Sequence, residues 1–175
     1  MRRTRGFTLI ELTVVIAILA VMAVTATSKF VDLSSEARIA GLEGMKATLE
    51  SGTSLIHLRA QIDGQTSGSG SVTQDGTTIT LHSGYPTGYW QNSMRYIAGL
   101  DTVDWSATND TVCTGDWCGK GNQTYLSSGI TTTSPVVIGK VFPEGYSYND
   151  ECGVYYINYL NGARPVVGLE TADCD

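Results

Sequence analysis

The chain has 175 residues, of which 42% are hydrophobic. This length allows one modest globular domain with an appendage, and it is too short for two full-sized cores. The formal net charge is −6 at pH 7. An acidic chain is a poor partner for nucleic acid, whose phosphates must be neutralised by Lys or Arg, so nucleic-acid binding is not expected.

An apolar segment at residues 7–26 follows a basic start that contains Arg2, Arg3 and Arg5. Its length matches the ~20 residues that a helix needs to cross the hydrocarbon layer of a membrane. Positively charged flanks stay on the cytoplasmic side. We therefore expect residues 1–6 to be a cytoplasmic leader, residues 7–26 to be a transmembrane segment, and the remainder to be exported.

Glu11 lies inside this apolar segment. A passive anchor, or an ordinary cleaved signal ending near Ala26, gains nothing from a carboxylate that costs about 2.5 to 3.5 kcal/mol in a membrane. The nearby helix start makes the acid tolerable. A cut between Gly6 and Phe7 would supply a partner, because the new amine lies one helical turn from Glu11. In a bundle of such helices, the amine of one chain can neutralise the carboxylate of its neighbour and set the stagger of the subunits.

The run Gly6-Phe7-Thr8-Leu9-Ile10-Glu11, followed by an apolar helix, resembles the N-terminus of type IV pilins and pseudopilins. The resemblance implies that a prepilin peptidase cleaves after Gly6 and methylates the amine of Phe7, and that Glu11 is the assembly carboxylate. It also implies a homopolymer of pilin subunits, an inner-membrane assembly machinery, and a chain that moves from the inner membrane into an extracellular pilus. Many such pilins have a helix-kinking proline where this chain has Ser28, which keeps its backbone hydrogen bond.

The apolar pattern past residue 30 predicts that the same helix continues. Leu42, Met45, Leu49 and Ile56 recur at the spacings of an amphipathic helix, and no proline interrupts them. The prediction is one helix over residues 7–62.

After the Gly-rich break at Asp63-Gly64, runs rich in Val, Ile, Thr and Tyr predict an antiparallel sheet in a globular domain at residues 63–175. The Asp75-Gly76 pair is a hairpin turn signal. The fold class is therefore α+β, with a long helix packed on an antiparallel sheet. The predicted strands are Thr77–Leu81, Val136–Phe142 and Gly153–Leu160, with a short helix at Trp90–Leu100 and irregular surface loops at Asp101–Ser134.

The four cysteines, Cys113, Cys118, Cys152 and Cys174, all lie in the last third of the chain. An even number in an exported chain indicates disulfides. Three pairings are open, and we prefer Cys113 with Cys118 and Cys152 with Cys174, which close a short loop and fix the C-terminal tail. A zinc site is the alternative, but the spacing lacks a CxxC pair and a nearby histidine.

Two further stretches, the Gln74-Asp75-Gly76 turn and Leu81-His82-Ser83-Gly84-Tyr85-Pro86-Thr87, resemble the mannose-sensitive haemagglutinin (MSHA) branch of pilins. This resemblance implies the subunit of an adhesive pilus used for surface attachment, with a surface glycan as a candidate receptor. Two other interpretations stay open. One is a pseudopilin of a type II secretion system, and the other is a secreted or anchored binding domain behind an ordinary signal.

No enzyme chemistry and no cofactor are expected. The two histidines, His57 in the predicted helix and His82 in a strand, form no recognisable catalytic order with serine and aspartate. The acidic series Asp101, Asp104, Asp110 and Asp116 does not match the spacing of an EF-hand, so loop solvation is the default interpretation. The aromatic residues Trp90, Trp105 and Trp117 could form a sugar-binding surface or, at least as readily, part of the core.

Overall fold

A computed structural model describes the backbone of residues 7–100 and 108–175, and the side chains of these residues except those of residues 25–33. The chain forms two compact units, Met1–Arg38 with Asp175, and Ile39–Cys174. A long helix is followed by short antiparallel strands, so the predicted α+β class, with the helix and sheet arrangement of a type IV pilin, is confirmed.

The first element, α1, is an α-helix over Leu9–Ile62. It continues without a break through the position of Ser28, and it ends where the sequence predicts. Gly64 has φ +71°, the left-handed conformation that commonly closes a helix. The amide of Gln65 donates to the carbonyl of Ala60 at 2.7 Å, which caps one of the last free carbonyl groups of the helix.

Within Ile39–Cys174, one side of α1 forms part of the hydrophobic core. The periodic residues Leu42, Met45, Leu49 and Ile56 are all buried there, as the amphipathic pattern predicts. They pack with residues of the strands, including Ile79 and several others further along the chain. This packing compensates for the glycines in this half of the helix, each of which costs about 1 kcal/mol relative to alanine.

The first sheet contains β1 (Ser69–Gln74), β2 (Thr77–His82) and the short β3 (Tyr85–Pro86), in the order β1-β2-β3 and antiparallel throughout. Gln74 pairs with Thr77 across a two-residue turn. Asp75 and Gly76 have φ of 50° and 80°, which this tight hairpin requires. The hairpin predicted from the Asp75-Gly76 pair is confirmed.

The second sheet has four antiparallel strands in sequence order. A π-helical turn at Trp90–Met94 and a short α2 at Arg95–Ile97 come before it and match the predicted short helix. The second strand of this sheet is buried along its whole length. The strands are β4 (Trp117–Gln123), β5 (Ile138–Pro143), β6 (Gly153–Ile157) and β7 (Val166–Glu170).

Two of these strands correct the sequence analysis. The range Asp101–Ser134 was predicted to be irregular, yet β4 lies inside it, and β7 was not predicted at all. Both contain glycines that an aromatic ring covers. A Cβ atom on Gly119 would lie 1.8 Å from Trp90 Cη2, and one on Gly168 would lie 2.2 Å from Tyr155 Cζ. These glycines allow the close approach of an aromatic ring. Glycine is also rare in strands, so its presence lowers the strand propensity of the sequence.

Two disulfides and one ion pair cross-link the second sheet and the segments that flank it, and the ion pair joins β5 to β7. The bridges are Cys113–Cys118 and Cys152–Cys174, the pairing preferred from the sequence. Lys140 Nζ lies 2.5 Å from Glu170 Oε2, and both side chains are fully buried. The lysine side chain crosses β6 at Gly153, where a Cβ atom would lie only 2.7 Å from Lys140 Cε.

Candidate functional site: the start of the N-terminal helix

Thr8 and Glu11 form a reciprocal cap at the start of α1. The Glu11 amide donates to Thr8 Oγ1 at 3.3 Å, and Glu11 Oε2 accepts from the Thr8 amide at 3.0 Å and from the Thr8 hydroxyl at 2.9 Å. The Thr8 carbonyl accepts from the Leu12 amide at 3.3 Å. This is a capping box, which satisfies two backbone N–H groups that a helix start otherwise leaves free.

The cap gives Glu11 a role inside its own chain that the sequence analysis missed. The pattern Thr-x-x-Glu before an apolar run is the signal that could have found it. The carboxylate remains exposed, so it is also available to a group from outside the chain. Of the predicted processing residues, Phe7 is 82% exposed, and Gly6 lies outside the described residues.

The helix that follows the cap exposes apolar side chains in every direction. All side chains from residue 7 to residue 24 are exposed, and a helix that is apolar all round is normally buried in a core, a membrane or a bundle. Such a surface far exceeds the exposed patches of ordinary monomers and marks an interaction site. Its large members are Phe7, Leu9, Ile10, Leu12, Val14, Val15, Ile16, Ile18, Leu19, Val21, Met22 and Val24.

Of the helices in the described part of the chain, none is both long and apolar enough to cross a membrane.

The other candidate residues of the sequence analysis belong to the framework of the globular unit. Trp90 is fully buried and Trp117 packs against the core, while Trp105 lies outside the described residues. His57 lies on α1 and His82 on β2, as predicted. The ring of His57 stacks on Tyr85 with centroids 3.9 Å apart.

The acidic series does not converge on one point within the described residues. The Asn149 side-chain amide donates to Asp110 Oδ1 at 2.6 Å, and Asp116 is exposed, whereas Asp101 and Asp104 lie outside the described residues. No group of His, Cys, Asp and Glu that could hold a metal ion is found in the described ranges.

Comparison with known proteins relates the helix start to one family. Residues 1–27 match the prokaryotic N-terminal methylation motif. The chain is 36% identical over 59 residues to the type IV narrow pilus major component PilA5 of Thermus thermophilus, an alignment that covers 34% of this chain and 51% of that protein. The chain therefore spans about half the length of this curated relative. No solved structure matches the chain.

Proposed function

We propose that this chain, which belongs to the type IV pilin family, is a structural subunit of an extracellular pilus and polymerises through the apolar first part of α1. Members of this family are structural subunits and not enzymes. The observation that carries the proposal is the exposed apolar helix, with a capped carboxylate at its start, on a globular unit fixed by disulfides. A bundle of such helices removes this surface from water and leaves the globular units outside.

Processing comes before assembly in this proposal. A prepilin peptidase cleaves after Gly6, so that residues 1–6 are lost and the amine of Phe7 becomes the methylated N-terminus. Before assembly, residues 7–26 hold the subunit in the inner membrane, and residues 63–175 form the exported globular region. The membrane stage is supported by the sequence of residues 7–26 and by the family motif, and not by the helices of the structure.

Glu11 has two roles in this proposal. It caps its own helix through Thr8, and its exposed carboxylate neutralises the Phe7 amine of a neighbouring subunit in the low-dielectric interior of the bundle. The two roles use different properties of the side chain. The cap needs an acceptor oxygen, whereas the contact with the neighbour needs a negative charge.

Two substitutions separate these roles. Glu11→Gln keeps an acceptor for the capping box and removes the charge, whereas Glu11→Ala removes both. We expect both variants to give stable, membrane-bound subunits and few filaments in the sheared surface fraction. Normal filaments from Glu11→Gln together with a loss in Glu11→Ala would reject the charge role and leave Glu11 as a helix cap alone.

The mature N-terminus and the site of accumulation test the wider proposal. Intact mass and N-terminal sequencing should give a chain that starts at Phe7 with a methylated amine. A start near Lys29 would remove Glu11 from the mature protein and leave an ordinary secreted domain. Sheared surface fibres that contain the subunit support a pilus, and a subunit confined to the periplasm and inner membrane supports a pseudopilin of a type II secretion system.

We further propose that the filament is an adhesive pilus of the MSHA type. The support is the likeness of the Gln74-Asp75-Gly76 turn and of residues 81–87 to that branch. A surface glycan is the proposed receptor, and binding of sheared filaments to immobilised glycans, with free sugar as competitor, tests it.

A further inference from the structure

We propose that the outer face of α1 near its C-terminal end docks onto an acidic loop of a second copy of the chain. We name Leu55, Leu58 and Ile62 the outer stripe, and residues 108–116 the acidic loop. The inference rests on the proposed pilus function and adds to it a contact between globular units. This contact is separate from the bundle of N-terminal helices.

The outer stripe is an apolar surface on an otherwise amphipathic part of the helix. Its three residues follow one another at spacings of three and four, so they lie on one side of α1. They are 61%, 55% and 78% exposed, while Ile56 and Ala60 on the opposite side are buried. Three aliphatic side chains in contact with water beside a complete core favour a partner that covers them.

A cation lies next to the outer stripe and comes from a distant part of the chain. Arg164 Nη2 is 3.5 Å from Ser54 Oγ, and Ser54 directly precedes Leu55 and is one turn before Leu58. Arg164 is exposed, and it forms no ion pair with any residue that the structure describes. The nearby Arg59 already pairs with Asp63 at 2.9 Å. A matching partner therefore has an apolar side chain beside a carboxylate.

The acidic loop offers that combination. Val112 is 53% exposed, and Asp110 and Asp116 on either side of it are also exposed. The loop is held in place before any partner arrives. The Cys113–Cys118 bridge closes it, the Cys113 amide donates to the Tyr146 carbonyl at 2.7 Å, and Asp110 is fixed by its hydrogen bond from Asn149. A preorganised loop loses little conformational entropy on binding.

The relation between the two surfaces favours a second copy as the partner. The outer stripe and the acidic loop are different surfaces of one chain, so their contact is heterologous. A heterologous contact that does not close into a ring repeats along a filament, which is the geometry of the proposed assembly. The charges are opposite, so each docked pair gains attraction at the same place where it buries aliphatic surface. Arginine is also one of the residue types that are enriched among those that dominate binding energy.

Disulfide trapping in filaments tests the contact directly. The full-length chain is expressed with Leu58→Cys and Val112→Cys together, and sheared filaments are oxidised and separated on a denaturing gel. The four native cysteines are already paired and do not compete. We expect a ladder of covalent dimers and higher multimers. The matched control, Thr73→Cys with Val112→Cys, places the first cysteine on an exposed position of β1 and should give monomers.

Charge exchange tests the same contact without cysteines. Arg164→Glu and Asp116→Arg are each expected to lower the yield of sheared filaments by about tenfold. The double variant should restore the yield, because the attraction is rebuilt with reversed signs. Both sites are exposed, so unfolding of the subunits should be unchanged in all three variants.

The outcomes separate this inference from the function on which it rests. Filaments that form normally in Arg164→Glu, or filaments of the cysteine pair without a ladder, overturn the docking contact and leave the pilus function intact. A parent chain that forms no filaments overturns the pilus function and the docking contact with it.

Discussion

The two parts of α1, residues 9–24 and residues 39–62, both carry apolar side chains but differ in how far these are exposed. Residues 9–24 expose every side chain, and Glu11 is the one charged residue among them. Residues 39–62 carry charges of both signs and bury one side in a core that the chain itself provides. The backbone is helical in both parts, so the two parts differ in whether the chain itself covers their apolar side chains. The fold covers one side of the second part, whereas the first part leaves its apolar surface exposed along its whole length.

The same contrast holds for two carboxylates. Glu170 is fully buried, and it meets Lys140 at 2.5 Å while its other oxygen accepts from the Ser128 amide at 3.0 Å. Glu11 is fully exposed, and its carboxylate accepts hydrogen bonds from the amide and the hydroxyl of Thr8. A buried charge needs a partner in the same folded chain, because an unpaired buried charge is strongly destabilising. An exposed charge is solvated by water, so it is stable without an ion-pair partner in its own chain.

The largest expected effect is the loss of the buried ion pair. Glu170→Gln removes the negative charge and leaves the Lys140 ammonium buried among the carbonyls of Tyr148 and Asp150. We expect the free energy of unfolding to fall by about 3 to 5 kcal/mol. Urea unfolding of the full-length chain in mild detergent measures this change.

An exposed pair on the same chain is the matched control. Asp63→Asn breaks the ion pair with Arg59, whose side chain is half exposed, and should cost no more than about 1 kcal/mol. Equal effects of the two substitutions would mean that burial does not distinguish the contributions of the two ion pairs to stability.

Two leucines on α1 test the contrast between its two parts. Leu49→Ala opens a cavity at a fully buried position and should lower the free energy of unfolding by about 2 to 5 kcal/mol. Leu19→Ala removes the same atoms from a side chain that is 57% exposed. It should leave unfolding unchanged and lower the yield of sheared filaments.

The reverse pattern would contradict this division. If Leu19→Ala destabilised the subunit as much as Leu49→Ala, the first part of the helix would be held by its own chain. If filament yield were insensitive to several alanine substitutions in residues 9–24, the bundle would not depend on these side chains.

The elements that could be predicted are those with strong local signals. The periodic apolar residues and the absence of proline predict α1, and Gly64 ends it at the expected place. The Asp75-Gly76 pair predicts the hairpin because its backbone needs positive φ at both positions. In these cases the chain determines its conformation within a few residues, so tertiary structure has little to overrule.

The missed strands depend on contacts distant in sequence. Trp117–Gln123 contains two glycines and no β-branched residue, and it forms a strand because Trp90 fills the space above Gly119. Likewise, Tyr155 covers Gly168, its direct partner in the register of β6 and β7. A cross-strand aromatic ring supplies the packing that glycine lacks. No local sequence pattern predicts such a pairing.

At the candidate site, the sequence singles out the unusual residue and predicts an assembly role for it, but it does not reveal the helix cap. A lone carboxylate in an apolar helix predicts assembly through a partner of positive charge. The hydroxyl of Thr8, three positions earlier, is a neutral partner that donates to this carboxylate. Capping depends on hydrogen-bond geometry, which charge counting does not reveal.

The smallest expected effect is the change of stability with pH that a buried tyrosine causes. It is confined to the globular unit, because residues 7–24 contain no tyrosine. Burial raises the pKa of the Tyr156 phenol above the ordinary value of about 10, and the hydroxyl donates to the Pro86 carbonyl at 2.6 Å. Above pH 10 the unfolded chain loses this proton first, so the unfolded state binds fewer protons and stability falls as the pH rises. One such group contributes a slope of about −1.4 kcal/mol per pH unit.

Tyr156→Phe isolates this contribution. At pH 7 the variant should be less stable by about 1 kcal/mol, because it loses one hydrogen bond, while the Pro86 carbonyl keeps the Asn158 side-chain amide at 3.0 Å. Between pH 10 and the raised pKa, its unfolding free energy should fall less steeply than that of the parent chain by about 1.4 kcal/mol per pH unit. The two curves therefore converge and cross as the pH rises. Parallel curves over this range would mean that Tyr156 ionises with equal ease in the folded and unfolded chains, and that its burial carries no charge penalty.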